Sequence, residues 1–210
     1  MIIIYQKFFS LDEEKQERII NAALGEFTKN GYEKASTNVI IKEAEISKGS
    51  LFQYFNNKKE LYLFLLEYVV KIIDKIYIEI NLNETDYFNR TKEIGLIKFR
   101  IMKRFPQAFD FFKSVTNEDN KDVKAEIKKV SRQTKEKGFE KGYQNIDWTK
   151  FREDMDLGKM KNIISWTFLS FSEQQVSKIS SFESVDQEVL GEWDEYFDIL
   201  KRCFYKKEDK

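Results

Sequence analysis

Gly31-Tyr32-Glu33-Lys34-Ala35-Ser36-Thr37-Asn38-Val39-Ile40-Ile41-Lys42-Glu43-Ala44-Glu45-Ile46-Ser47-Lys48-Gly49-Ser50-Leu51-Phe52-Gln53-Tyr54-Phe55 is the stretch on which the reading of this chain turns. Ser36-Thr37 can cap a short helix through Val39, Ile40, Ile41 and Ala44, and Ser47 can cap another from Lys48 to Phe55, because a hydroxyl there accepts a free amide of the first turn. Two short helices joined by a turn of about three residues form the helix-turn-helix arrangement, whose second helix lies in the DNA major groove. Upstream, Ser10 stands three residues before Glu13 as a capping box, which predicts a helix starting near Leu11. Ile19, Ile20, Ala23, Leu24 and Phe27 then recur at helical spacing until Asn30-Gly31, so that helix should end at about Lys29.

Downstream, Asn56-Asn57 can close one helix and open the next. Leu61, Phe64, Leu65, Tyr68, Val69, Ile72, Ile73, Ile76 and Ile80 follow at helical spacing, and Leu63, Leu66 and Val70 widen the apolar stripe. Such a helix is gripped from more than one side, and a domain boundary falls in or beside it. Further helices are predicted from Tyr87 to about Arg104, from Pro106, which sits at a permitted first-turn position, and over a charged stretch with Val123, Ile127 and Val130 inward. Around Gly138, Gly142 and Asn145 the pattern loosens into a turn.

The last two helices, 158–179 and 186–206, are rich in large side chains. Leu190, Trp193, Phe197, Leu200 and Phe204 fall at steps of 3, 4, 3 and 4, a narrow heptad-like seam. Either an intramolecular helix pair or a two-chain bundle closes it, and the bundle is the expectation, since aromatic seams often bury against a partner.

Composition agrees with helices and removes much chemistry. The 210 residues include 36 basic and 36 acidic side chains, eight Gly and one Pro, too few breakers for many short strands. With no His and one Cys, zinc triads, imidazole bases and disulfide frameworks are excluded, and a transition-metal effector is disfavoured. No cofactor is called for. The opening Ile2-Ile3-Ile4-Tyr5 is too short for a signal-peptide core and no run approaches the roughly 20 apolar residues of a membrane span, so a cytoplasmic location without membrane contact is expected.

The predicted reading helix separates its faces. Leu51 and Phe55, one turn apart, can bury against Ile20, Leu24, Phe27 and Ile40, leaving Lys48, Ser50, Gln53 and Tyr54 on other faces. Gln53 can read an adenine edge, Lys48 can reach guanine or a phosphate, and Gly49 admits close backbone approach. Ser36, Thr37, Tyr54 and Lys58 suit phosphate oxygens, and three of these stand at helix starts where the dipole already favours an anion. Residues 1–60 hold equal numbers of acids and bases, but 46–60 carries Lys48, Lys58 and Lys59 against Glu60 alone.

Residues 31–55, followed by Lys58-Lys59-Glu60-Leu61, resemble the DNA-binding signature of the TetR family of transcriptional regulators over about a third of the chain. The resemblance implies an all-α protein with an N-terminal three-helix DNA-binding domain, residues 1–57, followed by a larger helical effector-binding and dimerisation domain, residues 58–210. It implies a homodimer on a palindromic double-stranded operator, a repressor released when a small-molecule effector alters the spacing of the two reading helices. Pocket walls would be drawn from Phe64, Tyr68, Phe99, Met102, Phe109, Phe112, Trp148, Trp166 and Phe171. Where the family usually has Gly in the turn, this chain has Glu45. Either the turn carries a left-handed non-glycine residue, at about 1–2 kcal/mol, or its geometry differs.

Two rival readings explain less of the sequence. A helical enzyme would rest on Glu153-Asp154-Met155-Asp156 or Glu118-Asp119, and neither cluster has partner acids at a spacing that converges on a metal. A protein-binding adaptor accounts for the aromatic seam and leaves residues 47–55 unexplained.

Overall fold

The computed structural model describes residues 5–178 and 187–207, excepting the side chains of residues 172, 173, 175–178 and 187–190. In chain order its α-helices are α1 (Gln6–Phe9), α2 (Glu13–Lys34), α3 (Thr37–Glu43), α4 (Lys48–Tyr54), α5 (Lys58–Glu79), α6 (Tyr87–Arg104), α7 (Pro106–Val115), α8 (Lys124–Tyr143), α9 (Leu157–Lys178) and α10 (Gln187–Phe204). A single 3-10 turn covers Trp148–Lys150, and the one β-type pairing among the described residues is an isolated bridge of Phe151 with Tyr205. The all-α expectation is met. Two compact units form, residues 1–79 with 100–141, and residues 80–99 with 142–210.

In the first unit α2 packs against α3, α5 and α7, burying Ile19, Ala23, Leu24 and Phe27. The cap of α2 is Asp12, whose carboxylate accepts the Lys15 N–H at 2.8 Å, and not Ser10, whose hydroxyl donates to the Lys7 carbonyl at 2.8 Å. The reason is α1, a helical turn the sequence reading missed, which occupies Ser10 as its own C-terminal residue. Phe8 of α1 is fully buried among Phe55 and Phe64, with ring centroids 5.1 and 5.0 Å away. Gly31, at φ 67°, interrupts α2 where Asn30-Gly31 predicted its end. Asn57 opens α5 by accepting the Glu60 N–H at 2.9 Å, and α5 buries Leu61, Leu65, Leu66, Val69, Ile72, Ile73 and Ile76 on its broad apolar face. The predicted loosening at Gly138 and Gly142 is corrected: α8 runs through both glycines, and a Cβ at Gly138 would lie 2.8 Å from the Tyr77 hydroxyl.

The second unit closes around Tyr87, Phe88, Phe151, Ile164, Phe168, Trp193, Phe197 and Phe204, all buried. Phe197 stacks on Phe168 at a centroid distance of 4.1 Å. Gly95 of α6 faces the indole of Trp193 so closely that a Cβ there would stand 1.9 Å from its ring. Asp86 caps α6, accepting the Phe88 and Asn89 N–H groups at 3.0 and 3.2 Å and pairing with Lys150 at 3.1 Å. Burial by itself raises its carboxyl, but these donors and Lys201 together hold it below the usual carboxylate range. Arg90, fully buried, donates to the carbonyls of Gln144 and Glu84.

The seam expected to close between two chains is closed within one. Trp193, Phe197 and Phe204 are buried by their own unit and Leu200 packs against them, while the side chain of Leu190 lies outside the described residues. The helical period specified a buried face correctly and said nothing about which chain covers it.

Candidate nucleic-acid interface

The helix expected to read DNA, α4, starts at Ser47, whose hydroxyl accepts the Ser50 N–H at 3.1 Å. Leu51 and Phe55 are each 1% exposed, which anchors one face in the core. Lys48, Gly49 and Gln53 lie in solvent on the other side, while Ser50 and Tyr54 are half-buried. Ser50 shares a 2.8 Å hydroxyl contact with Ser47, and the Tyr54 ring meets Phe8 edge-on at 6.3 Å. Ser36 and Thr37, half-buried, begin α3. Ser36 makes no side-chain cap; its own N–H is taken by the Glu26 carboxylate at 2.8 Å. The exposed Asn38 and Lys42 of α3, one turn apart, were missed by the sequence reading, although their position opposite the buried Ile40 marks them.

The α3–α4 turn resolves the Glu45 question. Ile46 donates to the Ile41 carbonyl at 3.1 Å and Glu45 to that of Lys42 at 3.3 Å, the paired bonds of a Schellman ending whose C′ residue is left-handed. Glu45 occupies that position at φ 53°. Glu45→Gly should therefore stabilise the chain by about 1 kcal/mol, the relieved strain less the glycine's extra unfolded freedom; urea unfolding reads this, and an unchanged or lowered midpoint would remove strain from the account.

Lys58 has a different task from the one expected. Its ammonium donates to the carbonyls of Glu33 at 2.9 Å and Ala35 at 3.1 Å and lies 5.0 Å from the Tyr32 ring centroid, so it ties α5 to the end of α2. The Tyr32 ring in turn meets Tyr62 at 5.2 Å, where burial foremost and then the Glu118 carboxylate push the Tyr62 hydroxyl above the ordinary tyrosine range.

The aromatic set expected to wall an effector pocket is divided between the two units. Phe64 belongs to the Phe8–Phe55 cluster, and Tyr68, Met102, Phe109 and Phe112 are half-buried in the same unit. In the other unit Phe99 and Trp148 are half-buried, Phe171 packs on Trp193 and Tyr196, and Trp166 is 65% exposed. A groove of about 410 Å³ lies instead between α5 and α8, lined by Glu67, Val70, Lys71, Asp74, Val130, Gln133, Thr134 and Lys137, none of them in that set. Among the described residues no group of three or more acidic, Cys or His side chains could hold a metal ion, and no helix is long and apolar enough to cross a membrane.

A short helix pair whose second helix is capped by Ser47, anchored by Leu51 and Phe55 and presents Lys48 and Gln53 has the layout of a helix-turn-helix. Residues 19–64 match the TetR_N family, bacterial regulatory proteins of the tetR type. The chain is 43% identical over 56 residues to the HTH-type transcriptional regulator YuxN of Bacillus subtilis, covering 27% of this chain and 19% of that one. It is 39% identical over 51 residues to the HTH-type transcriptional regulator QacR of Staphylococcus aureus, covering 24% and 27%. These matches span less than a third of either relative's length. A TetR family transcriptional regulator from Chloroflexus aurantiacus superposes with a TM-score of 0.70 at 21% identity, over 96% of this chain and 98% of that one, a likeness of fold. Residues 19–64 are thus similar to the DNA-binding region of the TetR family.

Proposed function

We propose that the chain is a transcriptional repressor that binds a palindromic operator as a homodimer, residues 1–57 reading DNA and residues 58–210 joining the two copies and receiving a small-molecule effector. The exposed polar face of α4 carries this reading: Lys48, Gly49 and Gln53 stand free on a helix whose other face is locked by Leu51 and Phe55. Support for a second copy comes from the outer faces of α9 and α10, where Ile163, Trp166, Leu169, Tyr196 and Ile199 are all at least 40% exposed; clustered large apolar side chains on a chain this highly charged mark an interaction site. The effector would shift the dimer between DNA-competent and incompetent states by binding one better than the other.

Selection from a random duplex pool should return a two-fold symmetric sequence. On it, Gln53→Ala should reduce discrimination against random DNA by about 1–3 kcal/mol. An equal loss on both DNAs would overturn base reading by Gln53, and failure of the unaltered chain to enrich any sequence would overturn the function.

A further inference from the structure

Three charged side chains converge on residues 32–36, the last turn of α2 and the step into α3. Glu26 accepts the Ser36 N–H at 2.8 Å, Lys58 donates to the Glu33 and Ala35 carbonyls, and Glu118 accepts the Tyr32 N–H at 2.7 Å. The first two belong to α2 and to the helix that follows α4. Glu118 comes from the connection between α7 and α8, 86 residues along the chain.

Its carboxylate is held at both oxygens. Oε2 takes the Tyr32 amide, Oε1 takes the Asn120 N–H at 2.9 Å, and the Glu118 N–H itself donates to the Val115 carbonyl at 3.1 Å. One side chain thus bolts the α7–α8 connection to the backbone from which α3 departs. Gly31 makes this approach possible: a Cβ there would lie 3.2 Å from Oε2, and its φ of 67° is open chiefly to glycine. Because α3 packs on α4, turning the Tyr32–Ser36 segment turns the reading helix with it.

We propose that Glu118 is a positioning residue for DNA recognition: it fixes the angle at which α3 and α4 leave α2, and it passes any displacement of the α7–α8 connection to the reading helix. A charge-assisted bond to a backbone amide is among the stronger single contacts in a protein, and two such bonds on one carboxylate leave it little freedom. This inference rests on α4 as the reading helix.

The test uses the full chain and a duplex selected with it. Glu118→Ala should bind that duplex about tenfold more weakly, the size of effect that losing one charged hydrogen bond carries. It should also lose preference against duplexes whose half-sites stand one base pair closer or farther. Glu118→Gln, which keeps an acceptor for the Tyr32 amide, should retain most of both. Glu118→Asp, one methylene short, serves in place of Ala if that variant fails to fold. Exchange of the Tyr32 amide with deuterium should accelerate in Ala and Asp and not in Gln. Equal weakening on all spacings would mean a stability effect and would overturn positioning, as would unchanged Tyr32 exchange. If the unaltered chain selects no sequence, the DNA-reading function itself fails; if it selects one and Glu118→Ala behaves identically, this inference alone fails.

Discussion

A Phe197→Glu variant should lose the fold of the second unit, not release intact monomers. Phe197 is 6% exposed, stacked on Phe168 and 5.8 Å from Phe88. Removing the ring costs about 3–5 kcal/mol, and an unpaired carboxylate in its place adds a desolvation penalty of several more. Against total stabilities of about 5–15 kcal/mol, the sum is decisive. Trp193, 5.9 Å from Phe197, should report it as a red shift in emission with loss of near-ultraviolet dichroism. Trp166→Glu is the counterpart: at 65% exposure it should leave the fold intact and, in the proposed dimer, separate the copies by sedimentation. A Phe197→Glu protein that kept its near-ultraviolet signal would overturn the packing assignment, and a dimeric Trp166→Glu would move the proposed interface elsewhere.

Phe55→Ala should cost about 3–5 kcal/mol and remove binding to every DNA sequence, because Phe55 joins α4 to α1 and α5 through rings at 5.1 Å (Phe8) and 4.9 Å (Phe64). Two residues away, Gln53→Ala faces solvent and should change stability by no more than about 0.5 kcal/mol. Urea unfolding beside DNA titration separates the two: one variant lowers the midpoint and abolishes all binding, the other leaves the midpoint and changes only selectivity. If Phe55→Ala unfolded at the unaltered midpoint, the aromatic cluster would not be what holds the reading helix.

The reading end of this chain was legible because its signals are local. Ser47 caps α4, Asn57 caps α5 and Gly31 breaks α2, each through an interaction spanning a few residues. Leu51 and Phe55 announced themselves by helical spacing. What escaped were relations between distant segments. Nothing near Lys58 says that its ammonium will spend itself on the carbonyls of residues 33 and 35, and nothing near Glu118 names Tyr32. The seam of α10 failed for a related reason: period three-and-four marks a face for burial, and both a neighbouring helix and a second chain satisfy it. Ser10 misled because a four-residue helix, too short to show a period, already used it. Of the aromatic residues expected around an effector, Phe64 and Phe171 are taken up in packing within their own units.

The meeting of Gly95 with Trp193 also has a bearing on descent. The indole fills the volume that any β-carbon at residue 95 would need, so residue 95 is not free to drift while the tryptophan stays. A lineage that acquires even alanine at 95 must first or simultaneously shrink residue 193, and a lineage that keeps tryptophan at 193 keeps glycine at 95 in the middle of a helix, where glycine is otherwise disfavoured. The dependence runs one way: related chains that keep tryptophan at 193 should keep glycine at 95, whereas a smaller residue at 193 leaves 95 free to change.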